Sequence, residues 1–154
     1  MSETPVPASI PWTVHCDGSA VPNPGRMAYG AVIVAPDGRR TTLSRFTTET
    51  GCNNEAELRA LMAALKEVHA LGGRELLLYS DNSIVVAQLD GGRPQPPIVR
   101  LAGLVDEVRG LMTCFERVRL TWIPRHRNAE ADALARIAQG LPPKPPVKVR
   151  RRNG

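Results

Sequence analysis

Residues 53–68 read Asn53-Asn54-Glu55-Ala56-Glu57-Leu58-Arg59-Ala60-Leu61-Met62-Ala63-Ala64-Leu65-Lys66-Glu67-Val68. Leu58, Leu61, Met62, Leu65 and Val68 recur at three and four residues, which puts them on one face of an α-helix. Asn53 and Asn54 offer the side-chain oxygens of an N-cap, and Gly72-Gly73 closes the segment. The amphipathic helix predicted here divides the chain. The stretch before it is strand-like, and the stretch after it alternates strand with helix.

Upstream, Trp12 to Asp17 is a short strand-like run. Gly18-Ser19-Ala20-Val21-Pro22-Asn23-Pro24-Gly25, with two prolines and two glycines, is expected to be a tight irregular loop. Met27 to Ala35 is rich in Val, Ile and Tyr, and Arg39 to Thr48 alternates polar with apolar residues. With Pro36-Asp37-Gly38 as the turn between them, the two runs form a hairpin.

Downstream, Glu75 to Ser80 is a strand and Asp81 to Leu89 a short helix, ended by Gly91-Gly92-Arg93-Pro94-Gln95-Pro96-Pro97. Leu101, Leu104, Val105, Val108, Leu111, Met112 and Phe115 mark one face of a further helix. Val118 to Ile123 is a strand, and about Asn128 to Ala138 a last helix with Ala131, Leu134, Ala135 and Ala138 inward. This order fits a mixed sheet covered on both faces.

The chain has 154 residues, 42% of them hydrophobic, enough for one domain with a real core. The expected division is a flexible leader at 1–10, a catalytic domain at 11–139 and a disordered, proline-rich basic tail at 140–154. No run of eighteen apolar residues occurs, and Met1 to Ser9 lacks the features of a secretory signal. The expectation is a cytoplasmic protein with no membrane association. Cys16, Cys52 and Cys114 are an odd set without C-x-x-C spacing, which implies reduced thiols. The net charge of +5 is carried by the tail, since Lys144, Lys148, Arg150, Arg151 and Arg152 lie beyond residue 138 with no acid among them.

Four acids stand at boundaries between the predicted elements: Asp17 after the first strand, Glu57 in the first turns of the first long helix, Asp81 after the fourth strand, and Asp132 near the start of the last helix. If the first and fourth strands are neighbours, Asp17 and Asp81 emerge side by side. Four crowded carboxylates repel by several kcal/mol at reduced dielectric, so such a cluster calls for cations, and oxygen-seeking Mg²⁺ or Mn²⁺ suits it. Two such ions about 3.5–4 Å apart support in-line attack of water on a phosphodiester. Any one of these acids taken singly reads as an ordinary turn or cap residue.

The residues around these acids resemble ribonuclease H type 1. The matching motifs are Asp17-Gly18-Ser19 with Asn23-Pro24-Gly25 and Gly30 after it, then Asn53-Asn54-Glu55-Ala56-Glu57-Leu58, Ser80-Asp81-Asn82, and Asn128-Ala129-Glu130-Ala131-Asp132-Ala133-Leu134-Ala135. They occur in the family's order over roughly Trp12 to Ala138. The resemblance implies an α/β fold with a five-stranded mixed sheet, its first three strands antiparallel, and helices on both faces. It implies an endonuclease that cuts the RNA strand of RNA/DNA hybrids and leaves 5'-phosphate ends. Asp17, Glu57, Asp81 and Asp132 would hold two Mg²⁺ ions per site, or Mn²⁺, in a monomer.

By the same resemblance Asn23, Asn53 and Asn54 meet the hybrid in its minor groove, where the 2'-hydroxyl distinguishes RNA. Local turn and cap roles are equally open to them. The segment Asp90 to Pro97 has one basic residue where better-known bacterial members carry a lysine-rich protrusion, and Ile123-Pro124-Arg125-His126-Arg127-Asn128 replaces a long histidine-bearing loop. This is the pattern of a compact subtype. Arg125 and Arg127 are further phosphate-contact candidates, and the basic tail is a candidate replacement for the protrusion. His126 is either an auxiliary proton relay or a solvated loop histidine. His15 and His69 read as structural, and Trp12 and Trp122 as core. The alternatives are a non-catalytic nucleic-acid-binding module of this fold, a nuclease acting on RNA duplexes or RNA/DNA junctions, and, more remotely, a junction resolvase.

Overall fold

Three consecutive strands open the fold, β1 (Trp12–Val21), β2 (Gly25–Val34), which is apolar and largely buried from Met27 on, and β3 (Arg40–Gly51). Helix α1 (Asn53–Ala70), strand β4 (Glu75–Ser80) and helix α2 (Ser83–Leu89) come next. A 3-10 turn at Val99–Leu101 leads into α3 (Ala102–Met112), and β5 (Arg117–Trp122) and α4 (Ala129–Ala138) complete the order. The computed structural model describes residues 10–90, 95–142 and 144. The leader, residues 91–94 with Arg93, and the tail apart from 140–142 and 144 lie outside the described residues.

The five strands form one sheet in the order β3-β2-β1-β4-β5. The pairs β1/β2 and β2/β3 are antiparallel, while β1/β4 and β4/β5 are parallel. The expected architecture is therefore present: an α/β fold with a five-stranded mixed sheet, its first three strands antiparallel. Val14, Cys16, Ile33, Leu76 and Leu78 pack with Leu58, Leu61, Leu65, Val68, Val105 and Val108 in a single core. Each fully buried Leu there contributes roughly 1.5–3 kcal/mol relative to exposure. Helix α4 packs on β2, β3 and β1. No helix among the described residues is long and apolar enough to cross a membrane.

Three local expectations are corrected. Strand β1 does not stop at Asp17 but runs to Val21, pairing Gly18-Ser19-Ala20-Val21 with Tyr29, Ala28, Met27 and Arg26. Only Pro22, Asn23 and Pro24 form the turn. The backbone N–H groups of residues 18–21 were free to join a ladder, and a strand glycine marks a close approach of backbone here, not a break. The N-cap of α1 is Cys52, not an asparagine, and the Cys52 N–H is met at 3.4 Å by Glu55 Oε1. Trp122, expected in the core, is 50% exposed at the end of the edge strand, and its indole N–H donates to the Asp81 carbonyl at 3.1 Å. Trp12 does pack against the core. His15 stacks on Tyr79 with ring centroids 4.8 Å apart, and His69 sits edge-on to Phe115. All three cysteines are free thiols.

Candidate active site

The parallel ladder between β1 and β4 ends at the pair Cys16 and Ser80. Beyond it β4 stops while β1 continues, so Asp17 lies in mid-strand beside the opening where Asp81 emerges. Asp17 and Asp81 are thus neighbours, although Asp17 is not at its strand's end.

Two glycines bring the helices in. Gly30 pairs with Asp17 across β1/β2 and so shares its face of the sheet. A Cβ on Gly30 would stand 2.5 Å from the Ala131 carbonyl oxygen and 2.6 Å from Leu134 Cβ. The bare backbone therefore lets α4 settle onto β2, and Asp132, in the first turn of α4, hydrogen-bonds the Asp17 carboxyl. Gly18 faces the other way, as alternation requires. A Cβ there would lie 2.3 Å from the Ala56 carbonyl carbon and 2.5 Å from Glu57 N. Its absence admits the start of α1 and carries Glu57 into the site.

Two of the carboxylates have their own holders. Glu57 is almost wholly buried at 1% exposure and accepts from Ser80 Oγ at 2.6 Å and from the Gly18 backbone N–H. Asn128, also buried, donates through Nδ2 to Asp81 Oδ2 at 3.1 Å and to the Cys16 carbonyl at 2.7 Å. Its own Oδ1 is buried without a hydrogen-bond partner among the described residues.

The crowding shows in the proton affinities. Burial, then the Glu57 and Asp81 charges, then the hydrogen bond and charge of Asp132 push Asp17 up to about 9. Burial pushes Glu57 up to about 8, opposed by the Ser80 hydrogen bond and aided by the charge of Asp81. Cys16, beneath them, is raised mainly by burial and further by Glu57 and Asp17. Two of the four acids therefore keep protons at neutral pH unless positive charge arrives.

Divalent cations fit this set. The donors are all oxygens, and a cation would offset both the burial and the mutual repulsion that raise Asp17 and Glu57. Among the described residues, no group of three or more His, Cys, Asp or Glu side chains is arranged so that it could hold a metal ion as it stands. Asp17 bonds Asp132 instead, while Glu57 and Asp81 bond nearby donors. That suits hard ions that keep several waters and take only one or two carboxylates each, with substrate oxygens supplying the rest.

The surrounding candidates divide. Asn53 Oδ1 accepts from Ala20 N at 2.8 Å, and Asn53 N donates to Asn23 Oδ1 at 3.1 Å. Asn54 Oδ1 accepts from Asn82 Nδ2 at 2.9 Å. The three asparagines thus tie the β1–β2 turn, the start of α1 and the start of α2 along one rim, and the expected capping role of Asn53 and Asn54 is not realised. Arg125, His126 and Arg127 form an exposed 3-10 turn just before α4. The structure brings none of the three into a hydrogen bond or ion pair with the four acids.

Sequence reasoning assigns no role to Ser80 or Asn128 as holders, or to Gly18 and Gly30 as spacers. All four lie inside quoted motifs, but their contacts are long-range. It also misses an ion pair between Lys144 Nζ and Asp132 Oδ2 at 3.3 Å.

Residues 15–138 match the family described as reverse transcriptase-like. The "Bifunctional protein Rv2228c" of Mycobacterium tuberculosis is 35% identical over 127 residues, covering 81% of this chain and 34% of that protein. The ribonuclease HI of Halobacterium salinarum is 36% identical over 125 residues, 80% of this chain and 62% of its own length. The chain therefore spans about a third to three-fifths of these relatives. The solved structure of RNase H1 from Halobacterium salinarum has a TM-score of 0.77 at 32% identity, covering 84% of this chain and 97% of that one. LC11-RNase H1, solved in complex with an RNA/DNA hybrid, has a TM-score of 0.73 at 26% identity, covering 82% of this chain and 95% of that one. With the motif order, the sheet topology and these matches in agreement, the chain belongs to the reverse transcriptase-like family and, within it, to the ribonuclease H type 1 proteins.

Proposed function

We propose that the chain is a metal-dependent endonuclease that hydrolyses the RNA strand of RNA/DNA hybrids. What supports this reading is the burial of Asp17 beside the charges of Glu57, Asp81 and Asp132, which together raise it to about 9. The same grouping favours an enzyme over a non-catalytic binding module, since a module has no use for the cost of burying and crowding these acids.

The four carboxylates would hold the cations, Mg²⁺ first and Mn²⁺ as a substitute. When bound, such a pair supplies an activated water and charge stabilisation for in-line displacement at phosphorus. The chain's own part is placement. Ser80 and the Gly18 N–H aim Glu57, Asn128 aims Asp81, and Asp17 and Glu57 give up their protons as positive charge enters.

Asn23, Asn53 and Asn54 lie together at one rim, where amide groups suit the 2'-hydroxyls and base edges of a minor groove. The hybrid bound by LC11-RNase H1 supports that substrate class. Arg125 and Arg127 are exposed and unpaired with the acids, as phosphate contacts require, and His126 beside them is free to serve as an auxiliary proton carrier. A cytoplasmic monomer completes the reading.

The test is cleavage of matched labelled duplexes: RNA/DNA hybrid, RNA duplex, RNA/DNA junction and DNA duplex, each with Mg²⁺ or Mn²⁺. Wild type is expected to cut the hybrid's RNA strand, and Asp81→Asn to lose that activity while keeping its fold. Equal activity in the two proteins would end the assignment.

A further inference from the structure

Helix α4 ends in a turn that sends the chain back along its own side. Gly140 takes φ +76°, a conformation open to glycine at little cost. Gly140 N donates to the Ile137 carbonyl at 3.0 Å and Leu141 N to the Arg136 carbonyl at 2.9 Å, which is the Schellman arrangement of a helix end. The reversed chain is then fastened by Arg136, whose Nε donates to the Pro142 carbonyl at 3.0 Å. Two residues on, the Lys144 ammonium lies 3.3 Å from Asp132 Oδ2. It makes the only ion pair between a described basic side chain and one of the four acids.

The surrounding sequence is Pro142-Pro143-Lys144-Pro145-Pro146. Prolines restrict the backbone of any chain, so docking this lysine forfeits less conformational freedom than docking one on a flexible arm. The pair itself is weak, because Lys144 is 56% and Asp132 28% exposed. An ammonium so placed is resident yet easily displaced. A divalent cation on Asp132 must move it, and the incoming phosphodiester brings non-bridging oxygens to the same rim.

On the strength of the nuclease reading above, we propose that Lys144 is a substrate-contacting residue of the cleavage centre, held on Asp132 in the free protein and transferred to a phosphate oxygen next to the reacting bond when metal and nucleic acid bind. This differs from a general electrostatic tail. It assigns one cation to one place, and it predicts opposite effects on the two ligands.

The experiment uses the full chain with Lys144→Gln, Lys144→Arg and, farther along, Lys148→Gln. Mn²⁺ is titrated calorimetrically without nucleic acid, and kcat and KM for hybrid cleavage are measured at saturating metal. Lys144→Gln is expected to bind Mn²⁺ about two- to fivefold more tightly, since its competitor is gone. Its KM for the hybrid is expected to rise about three- to tenfold, with Lys144→Arg restoring most of the loss and Lys148→Gln changing less.

Unchanged Mn²⁺ affinity in Lys144→Gln would overturn the proposal, since the ammonium would not reside on Asp132. Tighter Mn²⁺ binding with KM unchanged or lowered would overturn the phosphate role and leave a simple plug. Absence of hybrid cleavage by the wild type would end the nuclease reading and the phosphate role together, while the Mn²⁺ titration would still report whether the ammonium sits on Asp132.

Discussion

The Ser80 hydroxyl donates a 2.6 Å hydrogen bond to Glu57 Oε1, and both residues are buried. The bond links the last residue of β4 to the second turn of α1 and opposes the upward pull of burial on the Glu57 carboxyl. Removing it should strand Glu57 without its hydroxyl donor. Ser80→Ala is therefore expected to weaken divalent-cation binding about tenfold or more, the usual loss when a ligand's supporting partner goes. Mn²⁺ titration checks this, and an affinity within twofold of wild type would show that Glu57 needs no such holder.

Gly30 lies across from Asp17, with α4 pressed onto it. Gly30→Ala forces a Cβ to 2.5 Å from the Ala131 carbonyl oxygen, and the neighbouring atoms are backbone or the base of a side chain, so α4 must shift. The expected cost is about 1–3 kcal/mol of stability, with metal affinity lost as Asp132 moves from Asp17. Gly110→Ala in α3, where nothing lies within 4 Å, is the control and should gain up to about 1 kcal/mol. Denaturant titration of both variants reads the difference.

Asn128→Ala removes the donor to both Asp81 and the Cys16 carbonyl. The backbone acceptor is left buried, at a cost of about 1–3 kcal/mol. Under the nuclease reading kcat should fall at least tenfold, because Asp81 is no longer aimed. A variant with lowered Tm but wild-type kcat at low temperature would mean that Asn128 only supports the fold.

Acidity offers an independent check. Asp17 rises from 3.8 to about 9 and Glu57 from 4.5 to about 8 on folding. The metal-free native state thus binds more protons than the unfolded chain between about pH 4 and 9, and stability falls with rising pH across that window. Their favourable contribution is complete below pH 4 and gone above 9. Divalent cation should reverse the trend, releasing protons on binding at pH 7. Thermal unfolding of metal-free and Mn²⁺-loaded protein at pH 5, 7 and 9, with calorimetry in two buffers of different ionisation enthalpy, measures both. A metal-free Tm that does not fall between pH 5 and 9 contradicts the raised proton affinities of these two buried acids.

Much of the architecture is legible because burial is periodic. The spacing of Leu58, Leu61, Leu65 and Val68 announces α1, and Pro36-Asp37-Gly38 marks the β2–β3 turn. Where the sequence misleads, a local rule meets a long-range partner. Gly18 to Val21 reads as loop because glycine weakens a strand, yet β2 supplies the ladder and α1 needs the bare Cα. Asn53 and Asn54 read as caps because asparagine caps helices, yet Ala20 and Asn82 take their side-chain oxygens. Trp122 reads as buried by its strand pattern, but β5 is the sheet's edge.

The order and kind of the elements and the chemical type of the four acids are readable from the chain, because hydrophobic period and residue identity are local properties. The approach of those acids to one another is not, since it rests on the β1/β4 register and on two helices closing over Gly18 and Gly30 from opposite faces. Equally long-range are the contacts of Ser80 and Asn128 with Glu57 and Asp81, and the return of a lysine twelve positions beyond Asp132 to that residue. Such contacts join residues that no sequence period connects.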